Sequence, residues 1–185
     1  MLLLAGMPSL RSVARAIDAF QERVGRAVAW LMFLMVVIVF GDVVLRYAFN
    51  RSYVWTQELE WHLFGVVYLL AAGYTMLYDE HVRVDILYSR FSPRKKAWFD
   101  FVLLFVFFLP SCLAILYTTW PFVKASFAVN EGSPDPGGIP ARWVLKSVIL
   151  VGFGLLILQG ISQAIKNFYV GMGWEAPETR ARDIL

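Results

Sequence analysis

The chain has 185 residues, 59% of them hydrophobic and 17% charged, with a mean hydropathy of +0.60 and a net charge of +3. Soluble domains carry nearer a quarter charged residues, so the composition is that of a membrane protein. The lone Cys112 excludes an internal disulfide and a CxxC redox pair, and His62 and His81 are too few and badly placed for membrane haem.

Met1 to Pro8 hold a short Leu run with no basic residue before it, a poor match to a cleaved signal peptide. Arg11, Arg15, Arg23 and Arg26, interspersed with Val13, Ile17, Phe20 and Val24, read either as a basic amphipathic lead-in lying on the membrane surface or as a frayed tail. From Ala27 to Gly41 there is no charge, and a span needs about 20 residues, so the first transmembrane helix covers about 27–49. Asp42 and Arg46 fall in its last turns, spaced i, i+4 with the acid first, which lets them pair on one face.

The second span covers about 58–78. Thr56 is its expected N-cap, and Glu58 and Glu60 complement the helix dipole in the first turn. Residues 79–90 mix Val82, Val84, Ile86, Leu87 and Tyr88 with charge, which predicts a short interfacial helix lying flat on the bilayer. Ser92-Pro93 is a helix start signal for a third span over about 97–123, which Pro110 should kink. Three prolines and three glycines between Asn130 and Pro140 make the stretch after Lys124 the one substantial loop. The fourth span covers about 143–165, where Gly160 and Ala164 form a small-xxx-small pair suited to close helix approach, and a short polar tail follows from Lys166. The expected fold is an all-α membrane protein, one domain over 1–185 with four transmembrane helices.

Lys and Arg set the orientation. The amino-terminal segment, the connection after span two and the tail carry twelve, against five after spans one and three, which puts both termini in the cytoplasm. The basic residues thus answer to the bilayer and not to nucleic acid. The turn from Arg46 to Glu60 and the Pro/Gly loop then face outward.

No span carries a Ser-His-Asp set, metal-ligand spacing, a phosphate loop or a charge near the middle of spans two, three or four. No catalytic, cofactor-binding or metal residue is therefore expected, and the helices themselves offer no ion path. The candidates lie at the span ends. Asp42 and Arg46 grip a partner helix or form a local pair; Glu58 and His62, also i, i+4, suit a hydrogen bond; His81 and Asp85 suit a membrane-surface anchor or a proton relay.

The pattern Arg46-Tyr47-x-Phe49-Asn50, Trp55-x-x-Glu58-Leu59, Gly73 and His81-x-x-Val84-Asp85 resembles the small membrane (DctQ-like) subunit of tripartite ATP-independent periplasmic (TRAP) transporters. The likeness covers about residues 30–165, including the proline-rich outer loop, Lys146 and Gln159. Many members carry two acids where this chain has Gln57-Glu58. The resemblance implies a multi-pass protein of the bacterial inner membrane, an accessory and not an enzyme. It would support the scaffold of a large multi-span subunit that imports small organic acids with a sodium gradient, fed by a periplasmic solute-binding protein. Asp42, Arg46, Asn50, Trp55, Glu58, His81 and Asp85 are then the expected partner or scaffold contacts. Two rival classes stand beside it: a self-sufficient homo-oligomeric exporter or channel, and a membrane oxidoreductase subunit.

Overall fold

The computed structural model describes residues 8–78 and 91–175, so His81, Asp85, the expected interfacial helix at 79–90 and the segments 1–7 and 176–185 lie outside the described residues. The described residues are helical, without strands. α1 (Pro8–Phe49) is a single helix of 42 residues, about 63 Å at 1.5 Å per residue. The expected surface-lying lead-in is instead the first part of the first long helix. Its Ala14, Ile17, Gln21 and Val28 are buried, so burial against the neighbouring helices holds it in line with the rest. The helix ends where Asn50 takes a left-handed conformation (φ 53°), which a short polar side chain tolerates.

α2 (Val54–Leu77) starts two residues before the expected cap. Tyr53 occupies the cap position, and the Thr56 hydroxyl is committed across the hairpin to Asp42. The third rod is continuous from α3 (Pro93–Leu103) through a π turn (Leu104–Phe108) into α4 (Leu109–Ala128). Pro93 opens it as the sequence signals, and the π turn resolves Pro110. The preceding turn widens, with the Leu109 N–H bonded to the Leu104 carbonyl, just where a proline ring would crowd the backbone. The rod also tolerates Pro121 and runs past 123 to Ala128, so the loop begins later than expected. α5 (Trp143–Met172) starts at the expected residue but outruns 165, replacing the polar tail with two more turns. Gly173, at φ 75°, ends it in a paired cap: its own N–H bonds the Val170 carbonyl and that of Trp174 the Tyr169 carbonyl, both at 3.0 Å.

α5 is the hub, packing on α1, α2 and the third rod, while α1 and α2 pair with each other. Two glycines let backbones approach. A Cβ on Gly152 would lie 2.9 Å from the Leu69 carbonyl oxygen of α2, and one on Gly160 would lie 2.7 Å from the Phe108 ring. Close approach through small residues replaces the hydrophobic drive that lipid removes. α1, the α3–α4 rod and α5 are each long and apolar enough to cross a membrane. α2 is as long as a span needs, but Glu58, Glu60 and His62 dilute its first two turns. Their large apolar side chains point outward: Phe40 is 68% and Tyr117 82% exposed, as suits helices bathed in lipid.

Candidate functional site

Polar groups collect at the two ends of the bundle. Glu22 and Asp42 on α1, Glu58 and Tyr78 on α2, and Lys146 and Lys166 on α5 each stand about 20 residues apart, roughly 30 Å along a helix, which is the thickness of a hydrocarbon core. Between Arg26 and Asp42, Glu60 and Tyr78, and Lys146 and Lys166 no residue is charged.

At the hairpin end, Asp42 is buried at 3% exposure and accepts from the Arg46 guanidinium at 2.6 Å, so the i, i+4 pair forms. The Thr56 hydroxyl has one proton and stands 3.0 Å from Asp42 Oδ1 and 2.6 Å from the Tyr53 carbonyl, tying the second helix to the first. Arg46 remains about half exposed. Asn50 and Trp55 are exposed in the turn beyond.

Glu58 turns the other way, into the chain. Its carboxylate accepts from the Ser133 hydroxyl, from the Ile139 backbone N–H at 2.5 Å and from Arg142 at 3.1 Å. Arg142 also lies over the Trp61 ring, 5.5 Å from its centre. The His62 ring does not meet that carboxylate: its Nδ1 lies 2.6 Å from the Glu58 backbone carbonyl, which requires Nδ1 to carry the proton. A second clasp joins Lys146 to Glu131 at 2.5 Å, and the ammonium holds the Glu131 carboxyl below its ordinary value of 4.5. Two carboxylates thus shape the Pro/Gly loop into an ordered cover over the hairpin end, with Gly137 at φ 82° supplying its sharpest turn.

The terminal end holds residues that sequence reasoning missed. Asp18 on α1 receives Ser162 at 2.7 Å, Gln159 at 3.0 Å and Lys166 at 2.7 Å, all from α5. Gln21 donates to the Leu155 carbonyl at 2.7 Å, and Gln163 to the Met76 carbonyl at 3.1 Å. Gln21, Gln159 and Ser162 are fully buried. The interior is therefore not free of polar groups, as the spans alone suggested; a polar seam sews α1 to α5. The sequence carried no local signal for it, because Asp18 and Ser162 lie 144 residues apart and meet only once α1 packs on α5. Glu22 completes this end, accepting from the Tyr78 hydroxyl at 2.5 Å and from Arg26 at 3.0 Å. Arg11 reaches Glu175 at 2.6 Å and lies over the Tyr169 ring. A cleft of about 510 Å³ between Ser92–Arg94 and Val170–Glu175 is open and distant from Asp42 and Glu58.

Among the described residues no group of three His, Cys, Asp or Glu converges as metal ligands would. The geometry brings Asp42 together with Arg46, commits Glu58 to the loop, and leaves Arg46, Asn50 and Trp55 on the surface. What this arrangement can do is hold a rigid shape and offer contacts.

Residues 35–169 match the family described as tripartite ATP-independent periplasmic transporters, DctQ component. Over 107 residues the chain is 29% identical to a Haemophilus influenzae protein described as a TRAP transporter small permease, which covers 58% of this chain and 65% of that one. Over 151 residues it is 27% identical to the sialic acid TRAP transporter permease protein SiaT of the same species, covering 78% of this chain and 23% of the relative. The chain thus spans less than two thirds of the length of either relative.

Proposed function

The chain belongs to the DctQ component family of tripartite ATP-independent periplasmic transporters, and from that membership we propose that it is the accessory small-permease subunit of a secondary transporter. It is a multi-pass inner-membrane transport component and not an enzyme. In this reading it supports the scaffold of a large membrane subunit, which binds and moves a small organic acid with a sodium gradient. A periplasmic solute-binding protein delivers that acid. Sialic acid, named for one relative, is itself an organic acid and so supports the class of solute without selecting the individual.

The observation that carries the reading is the placement of charge. Ion and substrate paths are marked by ionisable residues within the membrane. Here the charged groups of α1, α2 and α5 stand in two layers about 30 Å apart, and Asp42, Glu58, Lys146 and Lys166 in them are spent on internal bonds. Those layers support four spans: α2 fits between them as well as the three more apolar helices do. α1 and α5 end together through Arg11 and Glu175, which favours one side for both termini, and the excess of basic residues there favours the cytoplasm. Arg46, Asn50 and Trp55 are the contacts the hairpin end offers outward, with Asp42 and Glu58 shaping the surface from beneath.

Two experiments test the proposal. Tagged and expressed with its partner genes, the chain should bring down a much larger multi-span protein in mild detergent. Reconstituted alone it should move no solute under a sodium gradient; transport by the chain alone refutes the accessory role. Single cysteines at Asp135 and Lys95 should react with impermeant maleimide from the periplasm and the cytoplasm respectively, and labelling of either from the opposite side refutes the four-span arrangement.

A further inference from the structure

Glu60, expected in the first turn of its helix, lies beyond that turn because α2 starts at Val54, and it belongs to neither clasp. Its carboxylate takes no hydrogen bond from any described residue: Oε1 is sealed inside without a partner, while Oε2 is not sealed and the residue is part-exposed. It follows Thr56 by one turn, so it sits on the side of α2 that faces α1, and the charges that act on it are those of Asp42 and Arg46. Arg46 already holds Asp42 at 2.6 Å, so the three groups together carry one negative charge in excess. Glu58 offers no relief, because its own positive partner is Arg142.

Depth sharpens the problem. If Glu58 marks one boundary of the hydrocarbon and Tyr78 the other, Glu60 lies about 3 Å inside it. A lone carboxylate there is costly, and charges within a membrane protein are normally paired. Large apolar side chains are exposed within a turn of it on both helices: Val36, Val37 and Phe40 on α1, Trp61 and Phe64 on α2. The α1/α2 surface therefore combines an apolar border with one unmatched negative charge. Lipid tails match the border but supply no hydrogen-bond donor.

We propose that Glu60 is the docking point for a basic side chain on a membrane helix of the large subunit, which seats on the α1/α2 face and completes the Asp42–Arg46–Glu60 group. This inference rests on the accessory role proposed above. It names where the partner binds and what chemistry it must bring: an Arg or Lys near the outer end of an otherwise apolar helix.

The test compares Glu60→Gln, Glu60→Leu and Glu60→Lys in the full chain co-expressed with the large subunit, with the amount of that subunit recovered as the readout. Glu60→Lys should lower recovery at least tenfold, Glu60→Leu by a similar factor, and Glu60→Gln less, since an amide still accepts a hydrogen bond. Recovery unchanged in Glu60→Lys overturns the inference. Thermal unfolding of the chain expressed alone controls for misfolding: Glu60→Leu should unfold at the same or a higher temperature, because it removes an unpaired carboxylate. A lower temperature shows instead that the carboxylate serves the chain itself and overturns the inference. A wild-type chain that recovers no large subunit refutes the accessory role and this inference with it; wild-type recovery with an indifferent Glu60→Lys refutes the inference alone.

Discussion

Gly152 offers the sharpest check on how the helices are joined. A Cβ built there stands 2.9 Å from the Leu69 carbonyl oxygen and 3.1 Å from the Leu69 Cβ, against an ordinary contact of 3.4 Å or more. Both atoms belong to or sit directly on a backbone, so no rotamer change relieves them; α2 and α5 must part by about half an ångström. Overpacking of this kind costs about 1–3 kcal/mol. Gly154, two residues on, has nothing within 4 Å of its built Cβ. Alanine in a helix interior gains about 0.5–1 kcal/mol over glycine at either position. That gain cancels when Gly152→Ala is compared with Gly154→Ala, leaving the steric cost, a difference of roughly 5- to 140-fold in the unfolding equilibrium. Gly154→Ala should raise the unfolding midpoint in detergent and Gly152→Ala should not. Equal shifts in the two variants refute the close packing of α2 on α5.

Glu58→Ala removes the acceptor shared by Ser133, Ile139 and Arg142, so maleimide should label a cysteine at the part-buried Ile139 at least tenfold faster while helix content stays unchanged; an unchanged rate removes Glu58 as the clasp. Glu131 carries a lowered folded-state pKa, so the stability of its clasp with Lys146 is present above the ordinary carboxylate value of 4.5 and is lost only as pH falls through the lower folded value. The unfolding midpoint in detergent should accordingly hold from neutral pH down to 4.5 and fall below it, and Glu131→Gln should reduce that fall; a fall centred at or above 4.5 contradicts the assignment. Thr56→Val strips one donor from buried Asp42 and should cost about 1.5 kcal/mol, the lower end for a bond to a charged group because the hydroxyl also serves Tyr53. A double-mutant cycle with Asp42→Asn should show positive coupling, and strict additivity argues against the bond.

What the sequence disclosed and what it hid divide along a physical line. Local signals held. The i, i+4 spacing of Asp42 and Arg46 gave a real pair, Pro93 opened its helix, and Trp143 began the last one. Periodicity and capping residues act within a turn or two, so they are written in neighbouring positions. Partners were hidden, because an apolar period says which face is inward and not what it meets. Glu58 reaches Ser133 and Arg142, and Asp18 reaches Gln159 and Lys166, across separations of 75 to 148 residues that no local rule spans. Hydropathy also misplaced the helix ends. A helix stops when its backbone stops being satisfied, whereas hydropathy stops where the apolar run does; α1 therefore runs on before its apolar stretch and α5 beyond its own, and Asp18 meets Ser162 in the buried seam between them.

That extension bears on how a subunit without an ion path could still serve transport. α1, α2 and α5 form a triangle pinned at both bilayer surfaces: by Asp42–Thr56 and Glu58–Arg142 at one end, and by Asp18–Ser162, Gln163–Met76 and Tyr78–Glu22 at the other. Hydrogen bonds at two levels about 30 Å apart resist tilting of one helix against another in a way that apolar contacts between them do not. The third rod meets α5 through rings and a glycine, Trp98 and Phe101 on Phe168 and Phe108 on Gly160, and it carries the π turn, with Pro110 and Pro121 in its interior. The two-level pinning thus joins α1, α2 and α5, and Glu60 lies on that part. A large subunit that moves its load across the membrane needs a fixed surface to move against. Under the accessory role proposed above, the pinned triangle is the part of this chain that would supply that surface.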